Sequence, residues 1–210
     1  MKSSTTKVMV TMLFMIGSVV LCLGSALADG LIDLPQTGQT KCYDPEKDWE
    51  IDCEGSGQDG EFRAGVAWPE PRFVDNNDGT ITDNLTGLMW LKVANCFSYK
   101  PWQQALDVIA EFNANPENFT CGNYYSGKYD DWVLPNVNEL SSLTNSLPEL
   151  YKWLSNQGFV GVQNANYWTS TTYAGNSNHA WTMNMNNSHL YGNGYSKNNN
   201  YYVWPVRAGQ

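Results

Sequence analysis

"FVDNNDGTITDNLTGLMW", residues 73–90, places acid and amide side chains and two glycines between apolar ends, and two architectures compete for it. A calcium loop of the EF-hand kind wants oxygen ligands at positions 1, 3 and 5, glycine at position 6 and a bidentate glutamate at position 12. Counting from Asp75, position 3 is Asn77, position 5 is already Gly79 and position 12 is Thr86. The register is off by one and the closing carboxylate is missing. Tight turns fit better. "NNDGT" supplies a glycine-bearing turn between Phe73-Val74 and Thr80-Ile81-Thr82, and "DNLTG" turns the chain again into Leu88-Met89-Trp90. The stretch therefore predicts an opening β-hairpin and no metal, with a nonstandard calcium site through Asp75, Asp78 and Asp83 as the competing arrangement.

Two different textures precede this hairpin. Lys2 and Lys7 flank an apolar stretch from Val8 to Leu23, followed by Ser25-Ala26-Leu27-Ala28-Asp29. A positive start, an apolar middle and small residues in A-x-A spacing describe a secretory signal peptide, residues 1–28, cleaved after Ala28. A membrane anchor is the competing reading, but the stretch is short for a span and is diluted by Gly17 and Ser18. Residues 29–72 are rich in Gly, Pro, Asp and Glu with few core formers, and read as an N-terminal arm. Residues 73–210 form the globular domain. Cleavage removes two lysines and no acid, taking the net charge from −9 to −11. So acidic a chain repels phosphate backbones and excludes nucleic acid as a partner. No later stretch is apolar enough to cross a bilayer, so membrane association is peripheral at most. The expected location is secreted, cell-surface or periplasmic; the sequence does not encode an oligomeric state.

Cys22 leaves with the signal peptide, and Cys42, Cys53, Cys96 and Cys121 stay. An even count in an oxidising compartment reads as two disulfides, for which three pairings exist. Cys42–Cys53 with Cys96–Cys121 is favoured because both close local loops. A zinc site would need C-x-x-C or histidine-flanked spacing, and neither occurs.

Downstream, "PWQQALDVIAEFNA" (101–114) repeats Trp102, Ala105, Leu106, Ile109 and Phe112 on one helical face, with proline at the first turn. A second helix is expected at "PNVNELSSL" (135–143), where Asn136 and Glu139 form a capping-box pattern, with a break or restart at Pro148. After Gly158 the pattern turns to strands: "NYWTSTTY", "AWTMNMN" and "YYVWPVR". In the second of these Trp181, Met183 and Met185 fall on one face and Thr182, Asn184 and Asn186 on the other. Helices between an opening hairpin and an all-β end make an α+β domain.

"VDNNDGTITDNLTGLMWLKVANC", "WVLPNVNELSSL", "YWTSTTY" followed by "AW", and the closing "YYVWPVR" resemble, in order and spacing, the Lcl C-terminal domain family, named for the domain that ends collagen-like bacterial surface adhesins. The resemblance covers Phe73 to Arg207. It implies a C-type-lectin-like fold, distantly similar to the formylglycine-generating (sulfatase-modifying) enzymes, and a stable exported scaffold for ligand or surface binding. Adhesion to sulfated polysaccharides is known for the namesake class, although an acidic chain disfavours that ligand here. Val133-Leu134-Pro135-Asn136 with Glu139 is similar to the "RLPTEAEW" stretch of the enzymes, with Val133 in place of arginine. The enzymes' C-terminal cysteine pair is missing, as are the lectins' "EPN", "QPD" and "WND" calcium signatures. Leu134-Asn136 precedes a helix and reads as architecture.

Catalysis has little to build on. His179 and His189 belong to no metal or nucleophile motif, no G-x-S-x-G elbow is present, and Asp130-Asp131 read as a solvated turn. The protein is therefore expected to be non-catalytic and to need no cofactor. The informative segment is 176–200, "NSNHAWTMNMNNSHLYGNGYSKNNN", rich in Asn with Tyr, Ser and His interleaved. Turn formation explains part of that composition. The same vocabulary also makes adaptable contact surfaces, since Tyr gives area at low entropic cost and small polar groups supply hydrogen bonds. Tyr stacking and Asn amides suit a sugar. The expected ligand face is Asn184, Asn186, Asn187, His189, Tyr191, Asn193, Tyr195 and Lys197, taking a glycan or a surface protein. Lectin-like domains, this family included, can be targets of diversity-generating retroelements, and adenine-rich Asn codons before "VWPVR" fit that pattern. The tryptophans of "NYW", "AW" and "VWP" are expected in the core. The competing function is a structural envelope or matrix component that assembles through the N-terminal arm.

Overall fold

A computed structural model describes residues 34–209 apart from 48, 122–124, 147–148 and 191–193, all within one compact unit. The signal-peptide expectation lies outside the described residues. Among the described residues no helix is long and apolar enough to cross a membrane.

The arm carries its own small structure. Strands β1 (Cys42–Tyr43) and β2 (Glu50–Ile51) pair antiparallel, and the Cys42–Cys53 disulfide closes the loop with the two Cα atoms 5.1 Å apart. A single helical turn, α1 (Asp59–Phe62), follows. The arm then returns to the domain. Val66 N donates to Leu34 O and Gln36 N to Val66 O, the Trp68 indole donates to Gln36 O, and Ser146 N donates to Thr37 O at 3.1 Å.

The opening stretch makes both expected turns and runs through three strands. β3 (Phe73–Asp75) pairs with β4 (Thr80–Asp83), which pairs with β5 (Leu88–Leu91), all antiparallel. Asn77 and Gly79 take positive φ, 59° and 85°, in the first turn, and Gly87 takes 72° in the second. These values are why amide and glycine side chains stand there.

The strand β6 (Tyr99–Lys100) leads into α2 (Trp102–Ala114), which buries Ala105, Ile109 and Phe112 at helical spacing. Pro116 opens a short 3-10 turn beyond it, and the Cys96–Cys121 disulfide ties this region together, Cα–Cα 4.7 Å. α3 (Val137–Ser141) starts on the predicted capping box. The Asn136 side chain accepts from the Asn138 and Glu139 amides, and Glu139 Oε2 accepts from Asn136 N at 2.7 Å. α4 (Leu150–Asn156) follows Pro148 as a separate helix and buries Leu150 and Leu154.

The second half is β-rich, making the domain α+β. β7 (Asn166–Thr172), β8 (His179–Asn184), β9 (Tyr195–Ser196) and β10 (Tyr201–Tyr202) join β6 in a five-stranded sheet of order β6-β10-β7-β8-β9. The last strand, β11 (Val206–Ala208), crosses to the opening sheet and pairs antiparallel with β5, giving β11-β5-β4-β3. The core is aromatic. Trp204 is fully buried, donates from its indole to Leu91 O at 2.7 Å, and lies within 5.0–5.7 Å of Phe159, Trp90 and Tyr167. Such contacts add to the area each ring removes from water.

One expectation for β8 needs correction. Met183 and Met185 are buried as predicted, but Trp181 is half-buried and Thr182 is as buried as Met183. β8 is an interior strand with α3 packed against it, so both of its faces meet protein and the polar-out alternation fails.

Candidate functional site

The three carboxylates that suggested calcium do not converge. Asp75 accepts from Asn77 N and pairs with Lys92 Nζ at 2.5 Å, which holds its carboxyl below the usual range. Asp78 accepts from the Thr80 amide and hydroxyl, from Tyr129 OH at 3.3 Å and from Lys128. Asp83 is fully buried and receives Nε and Nη2 of Arg72 at 3.0 Å each, the Leu85 amide and the Thr86 hydroxyl. The hairpin uses its acids to fix turns and pair cations. Among the described residues no group of three His, Cys, Asp or Glu side chains could hold a metal ion.

The Asn-rich segment divides. Asn184, Asn186, Asn187 and His189 sit where β8 ends; Tyr195 and Lys197 sit beside its start, since β9 pairs Ala180 with Tyr195 and His179 with Ser196. A six-residue strand separates the two groups by about 17 Å. Tyr191 and Asn193 lie outside the described residues.

At the far end, Asn184 is committed to the fold, donating to Asn166 Oδ1 at 2.8 Å and accepting from Asn186 N. Asn187 Oδ1 accepts from His189 N, an Asx turn of the kind Asn favours. The backbone is also pinned to α4, with Glu149 N on Asn186 O at 2.9 Å and Tyr151 N on Met185 O at 2.8 Å. Asn186, Asn187 and His189 are exposed on this fixed backbone. At the near end, Tyr195 packs edge-on against Tyr201, centroids 5.2 Å apart. Lys197 donates to Thr172 Oγ1 at 2.9 Å and lies 3.9 Å from the centroid of the Trp102 ring.

Of the tryptophans expected in the core, Trp168 and Trp204 are fully buried, whereas Trp181 is half-buried and meets Tyr173 edge-on. Asp131 is exposed, as expected of a solvated turn, but it also has a partner from far along the chain. It forms a two-pronged pair with Arg207, which is 4% exposed, and the pair holds the Asp131 carboxyl below its usual range. Their sequence separation of 76 hides that pairing from any local reading. A groove of about 490 Å³ between α2 and residues 132–136 has an apolar floor of Leu106, Ile109 and Trp132. Its polar rim is already used: Asn113 bonds the Trp132 backbone twice, and Asn136 with Glu139 caps α3.

The family model for the Lcl C-terminal domain matches residues 79–207, and the chain belongs to that family. No curated protein and no solved structure matches it.

Proposed function

We propose that this chain is an exported, non-catalytic binding module of C-type-lectin-like fold that contacts a glycan or a surface protein. The observation carrying the reading is the turn after β8. There Asn186, Asn187 and His189 present exposed side chains on a backbone fixed by Asx turns and by two bonds to α4. A preordered polar rim lowers the ordering cost of binding. Export is supported by the two disulfides and the signal-like residues 1–28. The non-catalytic reading rests on all four mature cysteines being paired and on His179 and His189 standing at opposite ends of one strand region.

On this reading the site lies at the far end of β8, with Asn184 as its scaffold and Asn186, Asn187 and His189 as its contacts. Lys197 and Tyr195 fall outside this group. The test is a glycan-array and surface-protein screen of residues 29–210 beside the Asn186→Ala/Asn187→Ala/His189→Ala variant. The expected result is a binder lost in the triple variant. Binding that ignores those changes defeats the assignment.

A further inference from the structure

Charge in this protein is segregated along the chain. Residues 29–149 hold all 21 acidic residues, while residues 150–210 hold none and carry Lys152, Lys197 and Arg207. Lys152 and Arg207 reach back to acids of the first half, Glu149 and Asp131. Lys197 has no carboxylate partner; it rests on Trp102 and Thr172. Lys100, on the edge strand β6 two residues before Trp102, has none either. The backbone ties these groups together, because Trp102 N donates to Lys197 O at 2.9 Å. Beside them Tyr99 is 58% exposed, and α2 opens with no acid in its first turn. A strongly acidic molecule thus has an aromatic corner with two ammonium groups that lack a carboxylate partner among the described residues.

The arm is its complement. The loop between β1 and β2 and the segment after it carry Asp44, Glu46, Asp52 and Glu54, none of which forms an ion pair among the described residues. Asp44 and Asp52 each use one oxygen to accept turn amides, leaving the other free. Among these acids Trp49 is 54% exposed, with Lys47 Nζ 4.6 Å from its ring centroid, and Tyr43 is 41% exposed. Lys41 and Lys47 offset part of this charge, but acids outnumber them, and exposed aromatics in a patch acidic on balance make an interface anchor with electrostatic steering.

We propose that the acidic β1–β2 hairpin of one molecule docks on the Tyr99, Lys100, Trp102 and Lys197 corner of a second copy. The two faces differ, so the contact is heterologous. It propagates head to tail into an open chain or a ring instead of closing as a symmetric dimer. This contact is independent of the ligand-binding turn after β8, and each can fail without the other.

Sedimentation velocity on the mature exported chain tests it. The expected result is association at low salt, with an apparent dissociation constant roughly tenfold weaker in high salt, because the charged groups lie at the surface, partly or fully exposed, where salt screens them. Trp49→Ala removes the anchor on one face and Lys100→Glu inverts the other, and each variant alone is expected to be monomeric with an unchanged far-ultraviolet circular dichroism spectrum. Mixed together, they retain one good arm and one good corner and are expected to form a 1:1 heterodimer that grows no further. A wild-type chain monomeric at all salt concentrations overturns the proposal. So does association that both variants leave intact, or a mixture that stays monomeric. If the wild-type chain stays monomeric while Lys100→Glu weakens capture of another anionic molecule, the corner serves that molecule and the self-contact is wrong.

Discussion

The opening hairpin and the Asn-rich segment near the C-terminus use almost the same residue vocabulary and put it to opposite uses. In residues 73–91 the polar groups turn inward or onto each other. Asp83 binds Arg72, Asp75 binds Lys92, and Asn76 donates to the Thr80 and Thr82 hydroxyls at 2.9 Å each. In residues 184–189 Asn184 is hydrogen-bonded into the fold and Met185 is buried, whereas Asn186, Asn187 and His189 face solvent. Composition therefore does not separate a turn consumed by the fold from one left exposed. What separates them is whether a partner for each polar group arrives from elsewhere in the chain.

The sharpest way to break the comparison is at Asp83. Arg72 and Asp83 are almost wholly buried, and Arg72 also donates to Ser142 O and stacks within 4.5–4.7 Å of Trp68 and Phe73. Asp83→Ala strands a buried guanidinium, and the expected loss is about 3–5 kcal/mol in urea unfolding. A loss below about 1 kcal/mol would mean that the hairpin acids are as dispensable as the later asparagines. The same latch means that deleting residues 29–72 is primarily a stability experiment. It removes Arg72 from Asp83 and Trp68 from Trp153, so point changes at Trp49 are the cleaner probe of assembly.

Next in size is the Cys96–Cys121 disulfide, which closes 25 residues beside α2. Replacing both cysteines with serine is expected to cost about 3 kcal/mol, read as a lower thermal midpoint, with the remaining reductant sensitivity coming from Cys42–Cys53.

Much of this was legible in the residues because it is local. The face of α2, the Asn136–Glu139 capping box and both disulfides lie within short windows where periodicity, cap chemistry or loop closure decides. The Arg72–Asp83–Ser142 latch and the Arg207–Asp131 pair were not legible, because the partners are brought together by strand pairing: β11 returns across the chain to β5. Thr182 failed for a similar reason, since alternation cannot tell whether a second layer covers the polar face. The candidate site was legible in composition and illegible in geometry. Nothing in "MNNSHLYGNGYSK" says that one β-strand separates Asn187 from Lys197.

Asn136→Ala removes the acceptor for two α3 amides and is expected to cost about 1 kcal/mol. Acid should have a smaller, graded effect through the exposed members of the pairs. Asp75 and Asp131 are held below 3.8 by Lys92 and Arg207. A carboxylate with a depressed folded pKa stabilises the fold above its unfolded value. That contribution is therefore intact above pH 3.8 and drains away as the pH falls through the lower folded values. The urea midpoint should fall in that window, and Asp75→Asn should flatten part of the slope.

The smallest expected effect tests the other side of the comparison. Asn186, Asn187 and His189 have exposed side chains, and the bonds holding this turn to α4 are made by the backbone carbonyls of Asn186 and Met185. Alanine preserves those carbonyls. It also preserves the Asn186 amide that Asn184 accepts, while removing the Asn187 acceptor of the second Asx turn. The triple alanine variant should therefore unfold within roughly 0.5 kcal/mol of the wild type, as surface substitutions do. A much larger loss would place the segment with the opening hairpin as architecture, and its exposed amides would cease to mark a binding face. A small loss accompanied by lost ligand capture would set it apart, because side chains that contribute little to the fold would then be required for recognition.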